Sequence, residues 1–171
     1  WRISFSTMSC LLYGISACEW WLQESNRRDT LNTCVQKRAE AFLPSNAEIA
    51  HFSSAFPYLS KPIHCLTTSS SVNKRKSNFT IHVTTQPIKR QSLIQVREGL
   101  VVPTPELALL QLANTESKLS VLHYAFAFCG GFALSGCSKD DLTNSATLTS
   151  VTALAKAARK FNGLHGAPKL R

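Results

Sequence analysis

The sequence predicts an α+β fold: a small antiparallel or mixed sheet covered by C-terminal helices, with a mainly helical N-terminal part. Hydrophobic residues make up 44% of the 171 residues, which is enough to build a sizeable core. Between residues 62 and 102, short segments alternate apolar and polar side chains as half-buried strands do, whereas the residues after 104 follow a helical period. We therefore divide the chain into an N-terminal helical segment, 1–60, and an α+β domain, 61–171.

Two helices are predicted in the N-terminal segment. The first has Ser16 as its candidate cap and contains the adjacent Trp20 and Trp21. Neighbouring side chains on a helix project about 100° apart, so we expect one tryptophan to face the core and the other an adjoining lobe. The second helix begins at Ser45, where Glu48 three residues later completes a capping-box pattern.

Four strands are predicted in the middle of the chain. The segment FTIHVT is the clearest, because its apolar residues at 79, 81 and 83 alternate with polar ones. Two apolar runs flank Glu98 and Gly99, which is typical of a tight hairpin. The short connections between runs favour an antiparallel or mixed sheet. The four strands are residues 63–68, 79–84, 93–96 and 100–102.

The stretch VVPTPELALLQLAN, residues 101–114, contains the clearest helix start in the chain. Thr104 is the predicted cap, and Pro105 occupies the first helical position, where its missing N–H group costs nothing. Glu106 falls in the first turn, where the helix dipole favours a negative charge. The leucines that follow form a wide apolar stripe, so we expect this helix to pack on the sheet.

Two further helices are predicted towards the C-terminus. Residues 118–134 form an apolar helix that ends near a Cys-Gly-Gly segment. Residues 151–161 form a helix with Thr149 or Ser150 as its cap. Three basic residues lie on the outer face of this last helix: Lys156, Arg159 and Lys160.

The chain is strongly basic. Its 19 Lys and Arg residues outnumber its 10 Asp and Glu residues, which gives a formal net charge of +9. Such an excess attracts polyanions, and no aromatic residue is interleaved with the basic clusters, which favours duplex DNA over single strands. The predicted partner is therefore double-stranded DNA, and the alternative is three solvated patches on different faces. The candidate nucleic-acid-binding residues are Lys74, Arg75, Lys76, Lys89, Arg90, Lys156, Arg159 and Lys160.

No catalytic residue is predicted. Glu106, Glu116 and Lys118 superficially match the P-(D/E)…(D/E)-x-K pattern of metal-dependent nucleases, in which two acidic groups hold Mg²⁺. That pattern needs the second acid and the lysine on one strand, whereas here both lie between two predicted helices. A nucleophilic Cys65 or Cys129 is disfavoured, because neither lies at a helix N-terminus that would activate it. We therefore expect a binding protein rather than an enzyme.

Cysteine and histidine spacing indicates neither a metal site nor a cofactor. No pair among the six cysteines has CxxC spacing, and the five histidines are scattered singly. His64 and Cys65 are adjacent, but neighbouring side chains on a strand point to opposite faces. Buried free thiols fit a reducing compartment, and the most apolar window, 121–134, is shorter than a bilayer requires. We therefore expect a cytoplasmic protein without a membrane partner.

Several segments resemble a group of uncharacterised bacterial proteins from gut actinobacteria. The segments, in order, are PIHCL, a basic loop, FTIHV, LVV, TPELALLQLAN, FCGGFAL and LTSVTALAKAARKFNGLHGAPKLR, which together cover residues 60–171. In that group a Ser-Pro-Glu segment opens the middle helix, a Cys-Gly turn lies in the next one, and a Leu-Thr-Ser element opens a basic helix. Residues 10–22 match more loosely. Ala127 stands where the group has an acidic residue before the Cys-Gly turn.

This group in turn resembles the AbiEi-type antitoxins of abortive-infection systems, which act as transcriptional autorepressors. The resemblance implies a non-catalytic antitoxin-like or transcriptional-regulatory module that binds DNA or a partner protein, such as a cognate toxin. Some relatives are joined to a restriction-endonuclease-like C-terminal domain. Because the sequence begins at Trp1 instead of Met and ends at Arg171, where the relatives continue, we expect the chain to be truncated at both ends. The alternative is the N-terminal part of a PD-(D/E)XK-like endonuclease whose catalytic domain lies beyond Arg171.

Overall fold

The computed structural model describes residues 10–24, 54, 56–67, 75–76, 78–84, 92–96, 100–130 and 147–161. Within these residues, one mixed sheet of six strands packs with four helices, which confirms the predicted α+β class. The strands are β1 Cys10–Leu12, β2 Ile63–Thr67, β3 Arg75–Lys76, β4 Phe79–Val83, β5 Leu93–Gln95 and β6 Leu100–Pro103. The helices are α1 Gly14–Glu24, α2 Pro105–Thr115, α3 Lys118–Cys129 and α4 Val151–Lys160.

The strand order in the sheet is β3-β4-β2-β1-β6-β5. β1 pairs antiparallel with β2 and parallel with β6, and β2 pairs parallel with β4. β3 and β5 pair antiparallel with β4 and β6, respectively, so the predicted hairpin between β5 and β6 is confirmed. β1 was not predicted, because its three residues are all apolar and show no alternation between apolar and polar side chains.

The two faces of the sheet carry separate apolar clusters. Leu12 on β1 lies opposite Cys65 on β2, and both belong to the cluster that also contains helix residues. Leu11 lies opposite Leu66, and both belong to a smaller cluster. Because successive side chains on a strand point to opposite faces, these clusters define a helix-covered face and an opposite face. The opposite-face cluster consists of Leu11, Tyr13, Leu66 and Val101.

The helix layer is built around α1 and α2. These two helices pack against each other, α1 also contacts β2, and α2 also contacts β6. The helices α3 and α4 pack against α2. Of the predicted C-terminal helices, α2 therefore contacts the sheet directly, together with α1, and α3 and α4 pack against α2 and contribute to the same core. Described residues of both predicted segments, 1–60 and 61–171, contribute to one core.

The prediction that Trp20 and Trp21 face different surroundings was wrong. Each tryptophan has only 1% of its surface exposed, and both belong to the main core. Their rings meet edge to face, with centroids 5.0 Å apart. The reason is that α1 packs against strands and helices at the same time, so two neighbouring positions on it both contact the core.

The prediction that Ser16 caps the first helix was also wrong, because α1 begins two residues earlier, at Gly14. Gly14 adopts a φ of +53°, which favours glycine, and its N–H donates to Gln111 Oε1 at 3.3 Å. Ser16 lies inside the helix, where its hydroxyl oxygen accepts a hydrogen bond from the His64 N–H at 2.9 Å. The serine therefore joins α1 to β2 instead of closing the helix end.

The predicted starts of the C-terminal helices agree with the structure. Thr104 precedes α2, Pro105 is its first residue, and Glu106 lies in the first turn, although the Thr104 side chain makes no capping hydrogen bond. α4 begins directly after Ser150, which is one of its two predicted caps. α3 begins at Lys118 and ends at Cys129, at the Cys-Gly-Gly segment where its end was predicted. The helix predicted from Ser45 lies outside the described residues.

Candidate functional site

The solvent face of α4 carries three basic side chains. Lys156, Arg159 and Lys160 are exposed, and they fall within one third of the helix circumference at 100° per residue. The opposite side of the helix is buried through Leu154, Ala157 and Ala158. We call Lys156, Arg159 and Lys160 the α4 basic face. This part of the predicted nucleic-acid-binding set is thus brought together on one surface.

The start of α4 is held in place by hydrogen bonds. The Ser150 hydroxyl oxygen accepts from the Ala153 N–H at 3.1 Å, which caps the helix. The Thr149 hydroxyl donates to Glu106 Oε1 at 2.5 Å and so connects α4 to the first turn of α2. The Thr149 N–H donates to the Phe128 carbonyl oxygen at 3.2 Å. Glu106 therefore acts as a structural acceptor between two helices.

The other predicted basic residues lie elsewhere or outside the described residues. Arg75 and Lys76 form β3, the edge strand next to β4. β3 lies four strand spacings, about 19 Å, from β6. The helix α4 packs on α2, which contacts β6, so β3 and the α4 basic face lie in different parts of the fold. The remaining predicted residues, Lys74, Lys89 and Arg90, lie outside the described residues.

The acidic residues of the nuclease-like pattern do not converge. Glu106 lies in the first turn of α2 and Glu116 directly follows its last residue, so helix geometry places their backbones about 15 Å apart along the axis. Lys118 is the first residue of α3. The Glu116 N–H donates to the Leu112 carbonyl oxygen at 2.9 Å, as a helix end requires. The two carboxylates therefore lie at opposite ends of α2 and cannot share one Mg²⁺.

Three aromatic rings lie together on the opposite face of the sheet. The Tyr13 ring stacks on the His82 ring, with centroids 4.2 Å apart. His82 Nε2 lies 3.0 Å from His64 Nδ1, and the centroids of these two rings are 5.1 Å apart. One of the two nitrogens must donate and the other must accept, so at least one imidazole is neutral. We call Tyr13, His64 and His82 the ring cluster.

Burial lowers the pKa of both histidines. The pKa of His82 falls to about 4, because the ring is largely buried and His64 lies beside it. Burial also lowers the pKa of His64, and the carboxylates of Glu116 and Glu19 oppose that shift. Both imidazoles are therefore uncharged at pH 7. At that pH, a base as weak as His82 is poorly suited to general acid–base catalysis.

The ring cluster also lacks the further ligands of a metal centre. Among the residues that the structure describes, no three His, Cys, Asp or Glu side chains come close enough to hold a metal ion. Tyr13 Oη accepts a hydrogen bond from Asn114 Nδ2 at 3.1 Å, and burial raises the pKa of this tyrosine. The cluster thus connects the end of β1 to β2, β4 and α2 through uncharged rings.

Sequence reasoning missed the contact between His64 and His82. The two residues become neighbours only because β2 and β4 pair in parallel, with Leu66 opposite His82. Parallel strands require a crossover connection, whereas the short connections in the sequence favoured an antiparallel or mixed sheet and did not indicate which strands pair in parallel. The period of two in each strand placed each histidine on a face, but the pairing of the strands could not be read from it.

A second unpredicted surface lies on α3. Leu119, Leu122 and Phe126 are exposed by 77%, 52% and 70%, and their spacing places them on one side of the helix. The other side is buried through Val121 and Phe128. We call Leu119, Leu122 and Phe126 the α3 apolar stripe. The sequence showed an apolar helix, but it did not show that one of its two apolar sides faces solvent.

Among the helices within the described ranges, none is long and apolar enough to cross a membrane. Comparisons of the chain with protein-family models, with curated proteins and with solved structures gave no match. The functional interpretation therefore depends on the α4 basic face and the α3 apolar stripe.

Proposed function

We propose that this chain is a non-catalytic, antitoxin-like regulatory module that binds double-stranded DNA through the α4 basic face. The observation that carries the proposal is the exposure of Lys156, Arg159 and Lys160 on one side of a helix whose other side is buried. Exposed Lys and Arg side chains bind phosphate groups and thereby position a protein on a duplex. The regulatory part of the proposal rests on the resemblance to AbiEi-type antitoxins.

The dimensions and surface of α4 suit a DNA groove. Its 10 residues correspond to about 15 Å of helix, and the major groove of B-DNA, about 12 Å wide, admits one α-helix. Thr152 and Ala155 are exposed on α4 and small, so they permit a close approach to the DNA. α4 contains no acidic residue that would repel phosphate groups.

Fluorescence anisotropy with a labelled DNA duplex tests the proposal. We expect binding at low salt that weakens steeply between about 50 and 200 mM salt, since each neutralised phosphate contributes about 0.9 to the slope of log K against log salt. The double variant Lys156→Ala with Arg159→Ala should weaken binding and reduce that slope by about 1.8. Both side chains are exposed, so the fold should be unaffected, and circular dichroism checks this.

A matched variant controls for net charge. Lys61→Ala with Lys118→Ala also removes two exposed positive charges, outside α4. This control should keep nearly the wild-type affinity and slope. Equal losses of affinity in both double variants would mean that DNA binding depends only on the total charge of the chain. No binding of the wild-type chain at low salt would reject the proposal.

The α3 apolar stripe supports a second candidate function, the binding of a partner protein. Large exposed apolar surfaces mark interaction sites, and apolar side chains spaced i, i+3 and i+7 are the pattern with which a helix occupies a groove on its partner. The charges on α4 and the stripe on α3 lie on different helices, so the two functions are compatible. The partner classes are a cognate toxin or a downstream nuclease domain, as the resemblance implies.

Coexpression with the product of the neighbouring gene, followed by affinity purification, tests this second function. We expect Leu122→Ser with Phe126→Ser to abolish complex formation, because both side chains are exposed and their loss does not disturb the core. Lys118→Ser with His123→Ser alters two exposed polar positions of the same helix and should leave the complex intact. A complex that survives both double variants does not use the α3 apolar stripe.

A further inference from the structure

We propose that Cys10 and Cys65 form a site of reversible oxidation, where a low-molecular-weight disulfide such as glutathione disulfide converts the two thiols into one intramolecular disulfide. The two sulfur atoms lie 3.0 Å apart, and both cysteines are free thiols. A covalent S–S bond is about 2.05 Å long. A movement of about 1 Å between the two sulfur atoms therefore separates the reduced pair from the bonded one.

The sheet register explains why the two thiols meet. Leu12 on β1 lies directly opposite Cys65 on β2. Cys10 lies two residues before Leu12, so its side chain points to the same helix-covered face and approaches Cys65 diagonally across the strand pair. The Cα atoms of diagonal neighbours lie about 7–8 Å apart, which exceeds the usual disulfide span of about 4.4–6.8 Å, so β1 and β2 must move slightly closer when the bond forms. We therefore expect a bond that thiols reduce readily.

The difference in exposure assigns an order to the reaction. Cys10 is partly exposed, whereas Cys65 is only 4% exposed. The Cys10 thiolate therefore attacks one sulfur of glutathione disulfide, forms a mixed disulfide and releases one glutathione thiolate. That thiolate takes up the Cys65 proton, and the Cys65 sulfur attacks the Cys10 sulfur and expels the second glutathione. Two protein thiols are thus oxidised, and one glutathione disulfide is reduced to two thiols.

Two other cysteines show what distinguishes this pair. Cys129 is partly exposed, as Cys10 is, but no described cysteine lies within hydrogen-bonding distance of it. Cys18 is fully buried in the core, and burial raises the pKa of its thiol well above the usual value. Among the described cysteines, Cys129 therefore has no partner for a second step, and Cys18 should stay reduced.

Peptide mapping of the oxidised full-length chain tests the proposal. The protein is treated with glutathione disulfide at pH 8, alkylated and digested with chymotrypsin, which cleaves after Tyr13 and separates Cys10 from Cys18. We expect a peptide pair that links Cys10 to Cys65, with a mass lower by about 2 Da than the sum of the reduced peptides. Dithiothreitol should release both peptides.

Two variants identify the second step. In Cys65→Ser the reaction should stop at a glutathione adduct on Cys10, whereas Cys129→Ser should leave the link between Cys10 and Cys65 unchanged. A stable glutathione adduct on Cys10 in the wild-type chain, or an unmodified Cys10, would overturn the proposal. The wild-type chain alone therefore decides the question even if Cys65→Ser does not fold.

Discussion

The two faces of the sheet are stabilised in different ways. On the helix-covered face, strand residues such as Ile63 and Phe79 join residues of all four helices in one large core. On the opposite face, four buried residues form a small cluster, beside the stacked rings of Tyr13 and His82. The first face depends on the volume of apolar side chains that it buries, and the second depends in addition on rings that must stay uncharged. The two faces should therefore respond to different perturbations.

The largest expected difference is between Leu12 and Leu11, neighbours on β1 that point to the two faces. Both are buried, at 0% and 4% exposure. Because a Leu→Ala cavity costs more where the surroundings cannot collapse, we expect Leu12→Ala to reduce the free energy of unfolding by about 4 kcal/mol and Leu11→Ala by about 2 kcal/mol. Urea denaturation of both variants measures this, and equal losses would mean that the two faces are packed equally well.

A smaller effect should separate two adjacent side chains within the helix-covered face. Trp21 Nε1–H donates to the Pro103 carbonyl oxygen at 2.8 Å, whereas the buried Trp20 Nε1–H has no hydrogen-bond partner among the described residues. Substitution by phenylalanine removes the same volume at both positions. Trp21→Phe should cost about 1–2 kcal/mol more than Trp20→Phe, since it leaves the Pro103 carbonyl unpaired. Thermal denaturation compares the two, and a larger loss in Trp20→Phe would contradict the hydrogen-bond argument.

The smallest effect should be a pH dependence confined to the opposite face. The pKa of His82 is about 4 in the folded chain and about 6.5 in an unfolded one, so protonation favours unfolding. Stability should be complete above pH 6.5 and fall as the pH is lowered towards 4. Because the ring is partly exposed, solvent screens the charge, and we expect a total loss below about 1 kcal/mol. Urea denaturation between these pH values measures the slope.

Two variants check the origin of that slope. His82→Phe keeps a ring beside Tyr13 but removes the titrating imidazole, so it should flatten the pH dependence. The remaining histidine of the pair, His64, lies near the carboxylates of Glu116 and Glu19, which favour its charged form. His123→Phe changes an exposed histidine on α3 and should leave the slope unchanged. If the slope persists in His82→Phe, the acid sensitivity arises elsewhere in the chain.

The elements that the sequence predicted well have local signals. In β4, Phe79 and Ile81 are buried and alternate with less buried neighbours, as a period of two requires. In α2, Pro105 and Glu106 occupy the first turn, where the proline ring and the negative charge are each favoured. These signals depend on residues that are close in the chain, so they can be recognised without the rest of the fold.

The features that the sequence did not reveal depend on distant residues. β1 is a strand because β2 and β6 flank it, and its three residues carry no periodic pattern. His64 meets His82, and Cys10 meets Cys65, only through the register of paired strands. The exposure of Phe126 depends on where α3 packs, because both sides of that helix are apolar. Of the candidate site, the outer face of α4 was predictable, and its connection to Glu106 was not.

The central position of β1 has a consequence for synthesis on the ribosome. β1 is the first of the described strands to leave the ribosome, and its parallel neighbour β6 is the last. Until β6 emerges, one edge of β1 has no strand beside it, and unpaired strand edges promote association between chains. Nascent chains that stall before residue 100 should therefore require a chaperone, while released chains that include β6 should not.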